Sequence, residues 1–390
     1  MAGADIVMIL SGKILPLVFM AAFSWSASAL PVADGGPEDV EIVDGEQRDG
    51  YRCLLVEYSA DEPGAGVQGE AVGTGERLRS YLLVPDSASP ENRVPGIVLL
   101  HDHGARFDIG KEKLVRPLSG VPENIRLSSE QWVRNNFDGV YWADSLASEG
   151  YAVIVPDMLY WGGRSSAACR KWSELKFSDS GNRELLDSLK TAVYDGQKDV
   201  YDSLAAEGQV WAWKTMEEDA AAARVLASMD FADSSRIYAA GWSMGAHRAW
   251  LLTAFCPEIS AGVSLCWMTL KETVAFPYKA SDYAMLVPGL RSRYDFPDIA
   301  MKLAPKPYLF LNGTHDKLFP VPAVKEAFSR MQEIYRDKGV EGRLRTEFFE
   351  GGHHCGKDVQ RRISAFFGAL SSSDIPAPMF SREKTVPLYE

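Results

Sequence analysis

Gly241-Trp242-Ser243-Met244-Gly245 is the stretch on which the fold turns. A short apolar run, Ile237-Tyr238-Ala239-Ala240, leads into it, and an apolar segment rich in small residues, 244–255, leads out. Strand, sharp turn and helix in that order are the setting in which a G-x-S-x-G pentapeptide becomes a nucleophile elbow. The two glycines keep the turn clear of side chains where it packs. The turn lifts the Ser243 hydroxyl above the sheet edge and aims the amide of Met244 at a substrate oxyanion.

Outward from the elbow, other short apolar runs repeat the pattern. Residues 96–100 (GIVLL) and 152–156 (AVIVP) are wholly apolar, as suits strands buried on both faces of a parallel sheet. Residues 262–266, 308–311 and 346–349 continue the series after the elbow, and 51–58 and 77–84 read as two strands before it. Helical patterns fall between them, at 213–229, 244–255, 324–335 and 358–370. Val324, Ala327, Phe328, Met331 and Tyr335 share one helix face. This alternation predicts an α/β fold, a doubly wound, mostly parallel sheet with helices on both faces. Residues 51–370 form that domain, 30–50 read as a linker into it, and 371–390 as a loose tail. Segments 106–140 and 160–208 both leave the carboxyl end of a strand, where such sheets bind ligands, and read as insertions that build a pocket.

A serine hydroxyl needs a general base, oriented by a third group. In this fold the order along the chain is Ser, acid, His. Of six histidines, His353 and His354 lie in Glu350-Gly351-Gly352-His353-His354-Cys355-Gly356, between the last predicted strand and the last helix. His353, directly after the glycines, is the expected base, with His354 as the alternative. Asp316 in Asn312-Gly313-Thr314-His315-Asp316 is the expected acid, just past the 308–311 strand. The second oxyanion donor is expected from the loop His101-Asp102-His103-Gly104-Ala105, through the amide of Ala105. His101, Asp102 and His103 lack a third well-placed ligand for a metal. No metal or cofactor is expected, and His247 reads as a packed helical residue. Trp142, Trp161, Trp211, Trp213 and Trp267 lie near predicted loops, but read as core rather than as specific contacts.

The 390 residues carry 41 basic and 53 acidic side chains, a formal net charge of -12, with no cationic stripe. Nucleic acid is therefore not an expected partner. Lys13, the apolar run 14–23 and Ala27-Ser28-Ala29 read as a cleaved export signal over 1–29, too short for a span of about 20 residues. The expectation is a periplasmic or extracellular protein without stable membrane association. Five cysteines, Cys53, Cys169, Cys256, Cys266 and Cys355, show neither zinc-knuckle nor CxxC spacing. Buried thiols and one or two disulfides are both compatible with them.

The chain resembles a bacterial branch of the α/β-hydrolases, related to dienelactone hydrolases and to proteins provisionally named acetyl xylan esterases. Leu99-Leu100-His101-Asp102-His103-Gly104-Ala105 and Phe107-Asp108-Ile109-Gly110-Lys111-Glu112 carry the resemblance. It extends to Gly241-Trp242-Ser243-Met244-Gly245-Ala246, Ala304-Pro305-Lys306-Pro307 and Asn312-Gly313-Thr314-His315-Asp316, and covers roughly residues 75–370. Ser243 stands where true dienelactone hydrolases carry a cysteine. The resemblance implies ester hydrolysis through Ser243, Asp316 and His353, with a carbohydrate ester or another small ester as substrate. A serine peptidase of the oligopeptidase type is the competing enzyme reading, but no propeller-like repeat precedes the domain. A binding protein on the same fold would have no use for Ser, Asp and His in this order.

Overall fold

A computed structural model describes residues 40–60, 77–273, 282–287 and 293–372. The expected export signal over 1–29 and all of the tail except 371–372 lie outside the described residues. Among these, nine strands form one sheet in the order β1-β2-β3-β5-β4-β6-β7-β8-β9. The strands are β1 (Glu41–Arg48), β2 (Tyr51–Ser59), β3 (Arg77–Pro85), β4 (Val94–Leu100) and β5 (Ala152–Pro156). They continue as β6 (Ala232–Trp242), β7 (Ile259–Leu265), β8 (Tyr308–Gly313) and β9 (Leu344–Phe349). The first three pair antiparallel, β3 also antiparallel to β5, and every pairing from β5 to β9 is parallel.

The parallel centre follows directly from sequence. Every residue of β5 and of β8 is buried, and in β4 only Pro95 is not fully covered. Helices close over both faces. Ala220–Ala223, Val225 and Leu226 of α5 (Trp211–Ser228) join Val98, Leu100, Ile154, Ile237 and Ala239 in one core. Ile363, Phe366 and Phe367 of α8 (Lys357–Ser372) join Leu99, Val153, Tyr238 and Val263 in the opposite one. Small alanines let α5 approach the sheet closely, while the aromatic end of α8 stacks Phe367 on Tyr238 at 5.1 Å. Helix α7 (Val321–Asp337) buries the predicted face, Val324, Ala327, Phe328, Met331 and Tyr335.

One boundary is corrected. Residues 41–48 are not linker but the edge strand β1, paired with β2 from Glu41↔Glu57 to Arg48↔Tyr51. Its side chains are mostly exposed and many are charged, which hides it from a search for apolar runs. The two insertions carry α1 (Glu123–Asn136), α2 (Trp142–Ser148) starting just past the first, and α3 (Ala167–Ser178) and α4 (Arg183–Ala206) in the second. Asp108 ties them together, accepting from Ser128 of α1 and from Ser173 Oγ of α3, the latter at 3.0 Å. The five cysteines are all buried free thiols. Among the described residues, no helix is long and apolar enough to cross a membrane.

Candidate active site

Ser243 caps α6 (Met244–Phe255) at the carboxyl end of β6, with φ 56° and ψ -124°. A left-handed backbone at a non-glycine residue is strained, and here it is held by packing on both sides. The amide of Ser243 donates to the Leu265 carbonyl at 2.8 Å, anchoring the turn to β7. A Cβ on Gly245 would lie 1.9 Å from the Leu100 carbonyl oxygen, and one on Gly241 would lie 2.2 Å from the Gly245 backbone. Both glycines are thus steric requirements of the close approach between elbow, helix and β4. Gly245→Ala is expected to cost about 3 kcal/mol or more, because backbone must move. A melting curve should show a drop of roughly 5 °C or more. An unchanged melting temperature would contradict this packing.

Asp316 and His353 meet across the ends of β8 and β9. His353 Nδ1 donates to Asp316 Oδ2 at 2.8 Å, and the amides of Leu318 and Phe319 donate to Oδ1 at 2.8 and 3.1 Å. The carboxylate is thereby aimed, and its side chain is wholly covered while that of His353 stays 19% exposed. Two backbone bonds lock the acid turn to the histidine loop, Thr314 N to Phe349 O and His315 N to Gly351 O. The imidazole packs between Trp242, 5.2 Å away, and Phe319, 5.9 Å away. Trp242 is the residue before Ser243, so this packing sets the histidine against the elbow. His354 turns away and bonds Asp138 through Nε2 at 2.9 Å, at an exposed site. His315 lies beside Glu350 on the surface.

The thiol of Cys266 completes a cluster in which one ligand atom each from Cys266, Asp316 and His353 lies within 4.8 Å of the others. Burial, with the Asp316 charge beside it, pushes this thiol well above its ordinary range and keeps it protonated. His247 is a packed helical residue, lying between Trp250 and Trp267 at 4.7 and 4.5 Å, and burial lowers it to about 3. Trp142, Trp161, Trp211 and Trp267 are core, and Trp213 packs edge-on against Phe255.

The loop after β4 differs from expectation at one atom. The Ala105 amide, the expected second oxyanion donor, instead donates to His103 Nδ1 at 3.0 Å. The imidazole of His103 folds back over its own loop and is held by Gln197 of α4, 3.4 Å from Nε2. Burial among Phe107 and Trp161 lowers His103 to about 3, so its ring is neutral and Nδ1 is free to accept. Among the described residues, the amides of His103, Gly104 and Met244 have no hydrogen-bond acceptor. Met244 heads α6, where the first amides of a helix are left unpaired.

Both ring nitrogens of His101 have partners within the protein. Its Nε2 accepts from the Met158 amide at 3.1 Å, which leaves the proton on Nδ1, facing the Asp102 carbonyl at 3.0 Å. Lys113, which the sequence reading passed over, and Asp102 sit directly beneath this loop. Lys113 is fully buried, and Asp102 is 1% exposed. Lys111, two residues earlier, ties the loop to the end of β5 through Asp157, 2.6 Å from its Nζ.

A family profile described as alpha/beta hydrolase fold matches residues 118–349. The chain belongs to the α/β-hydrolase family. The match begins beyond β4, while the sheet shows β1–β4 and the 101–105 loop to be part of the same domain. The hydrolase YtaP of Bacillus subtilis, itself provisionally so named, is 23% identical over 284 residues, 71% of this chain and 78% of that protein. Among solved structures, a Bacteroides fragilis protein provisionally named an acetyl xylan esterase superposes with a TM-score of 0.58 at 18% identity, covering 81% of this chain and 71% of that one. A glucuronoyl esterase of Solibacter usitatus superposes with a TM-score of 0.52 at 11% identity, covering 87% and 88%. At these identities the structural likeness is one of fold.

Proposed function

We propose that this hydrolase-family chain is an exported serine esterase that cleaves a carboxylic ester, of an acylated carbohydrate or another small alcohol. The observation that carries the reading is the aimed Asp316–His353 pair packed against the Ser243 elbow. Asp316 holds the proton of His353 on Nδ1, which leaves Nε2 as the base. Nε2 takes the proton of Ser243 Oγ as the oxygen attacks the ester carbonyl. The tetrahedral oxyanion meets the Met244 amide at the head of α6, joined by an amide of the 101–105 loop. Collapse expels the alcohol, protonated from His353, and leaves an acyl group on Ser243. Water, deprotonated by the same histidine, then releases the acid.

Two supports point to esters of sugars in particular. The sequence resemblance runs toward proteins named for acetyl xylan, and the solved structures of like fold include ones named for acetyl xylan and glucuronoyl esters. The test is a substrate panel of p-nitrophenyl acetate, acetylated xylo-oligosaccharide, a methyl glucuronate and a peptide anilide. Turnover of the esters with none of the anilide is the expected result. Cleavage of the anilide alone would replace the esterase reading with a peptidase one.

The mechanism assigns no step to a metal ion. Activity is therefore expected to persist after exhaustive EDTA treatment, with metal content measured on the same sample. Complete loss restored by zinc alone would contradict a serine mechanism, since a zinc hydrolase needs three protein ligands and an open position.

A further inference from the structure

Lys113 Nζ donates to two consecutive carbonyls, Asp102 O at 2.7 Å and His103 O at 2.8 Å. Each carbonyl also takes a second donor. His101 Nδ1 faces Asp102 O at 3.0 Å, and Trp161 Nε1 donates to His103 O at 3.1 Å. Two side-chain donors thus converge on each oxygen, and His103 O takes a further, longer bond from the Arg106 amide at 3.5 Å. In a trans peptide the carbonyl and the amide of one unit point opposite ways. Pinning Asp102 O and His103 O to the buried side therefore turns the amides of His103 and Gly104 to the other side. That side is open: Gly104 is exposed, His103 partly so, and Lys113 fully covered.

We infer that Lys113 is a positioning residue that builds the second half of the oxyanion site, by fixing two adjacent peptide units so that their amides face the ester. The inference rests on the serine-esterase reading and goes beyond it by replacing the Ala105 amide with those of His103 and Gly104. The rest of the surroundings fits this task. Trp132 covers the ammonium, 5.2 Å from its ring centroid, and the Asp102 carboxylate lies 3.5 Å away with neither oxygen in a hydrogen bond. Burial pushes the Asp102 carboxyl above its ordinary range while Lys113 opposes that shift, and the carboxyl does not compete for the donors' direction. Burial lowers Lys113 to about 8, with Asp102 and Asp108 opposing the fall, so the ammonium persists at neutral pH. An ammonium on a carbonyl also polarises the peptide, which strengthens its N–H as a donor.

The test pairs a variant with a structure. Lys113→Met keeps length and volume but donates nothing. On p-nitrophenyl acetate it is expected to lower kcat about 10- to 100-fold, with KM within about threefold. Affinity for an aryl trifluoromethyl ketone, which forms an oxyanion on the serine, should fall by the same factor as kcat/KM. A lysine that only stabilises the fold would lower the melting temperature without that matched loss. Wild-type kcat and wild-type ketone affinity in the variant would overturn the inference. Should the variant fail to fold, the wild-type protein treated with an alkyl fluorophosphonate decides by crystallography. The expected result is a phosphoryl oxygen within about 3 Å of the His103 or Gly104 amide and of the Met244 amide. An adduct on Ser243 whose oxygen contacts neither loop amide overturns the role of Lys113 and leaves the esterase reading standing. No adduct on Ser243 overturns both.

Discussion

Ser243→Ala is expected to abolish ester turnover, by about 10⁴-fold or more, while the fold survives. The hydroxyl makes no capping bond to the head of α6, so removing it leaves no helix amide newly unpaired. Alanine accepts the same left-handed backbone about as well as serine does, because the strain is in Cβ and not in Oγ. The melting temperature should therefore match that of the parent within error. Steady-state turnover of p-nitrophenyl acetate and a thermal melt on one preparation check both halves. A variant with near-native turnover would remove Ser243 from the mechanism.

The next largest effects belong to the acid and the base, and they should separate two adjacent histidines. His353→Ala removes the proton acceptor and should cost about 10³- to 10⁴-fold in turnover. Asp316→Asn should cost a similar factor for a different reason. Oδ1 of the carboxylate takes two backbone amides and Oδ2 takes His353 Nδ1. An asparagine can satisfy only one side. Facing the amides with its oxygen, it presents NH₂ to Nδ1, pushes the imidazole proton to Nε2 and blocks the base. His354→Ala loses only a half-exposed pair with Asp138, of a kind worth at most about 1 kcal/mol, and turnover should stay within about threefold. The three variants assayed side by side test the assignment. A reversed order of His353 and His354 would contradict it.

How much of this could be read from sequence follows from what burial does to side chains. Strands β4, β5 and β8 announce themselves because both faces are covered, which favours apolar runs such as Ile97-Val98-Leu99-Leu100. Strand β1 is an edge, and Glu41, Asp44 and Glu46 are suited to an edge, so its sequence looks like linker. The helix 244–255 was legible to the residue, because the elbow fixes its start and the packing against β4 fixes its small residues. The pairing of Asp316 with His353 was open to chain-order reasoning, since each follows a strand at the same sheet end. That His354 belongs to Asp138 was not, because Asp138 lies 216 positions away in an insertion.

The Ala105 amide is engaged by His103 for a local reason. Which amide is free depends on where the His103 ring lies, and that is set by Gln197, Phe107 and Trp161 from three separate segments. Lys113 was invisible for a general one. A lysine in a polar stretch reads as surface, and its full burial becomes apparent only when two carbonyls and the face of Trp132 close around it.

The central claim is that Ser243 is the nucleophile activated by His353, and one labelling experiment reaches it most directly. The wild-type protein is treated with an alkyl fluorophosphonate at neutral pH, digested and mapped by mass spectrometry, alongside His353→Ala and His354→Ala. A single phosphonyl group on the peptide carrying Ser243, formed rapidly in the wild type and in His354→Ala and very slowly in His353→Ala, is the result the account predicts. An adduct on another residue, no adduct at all, or equal labelling of Ser243 in the absence of His353 would contradict it.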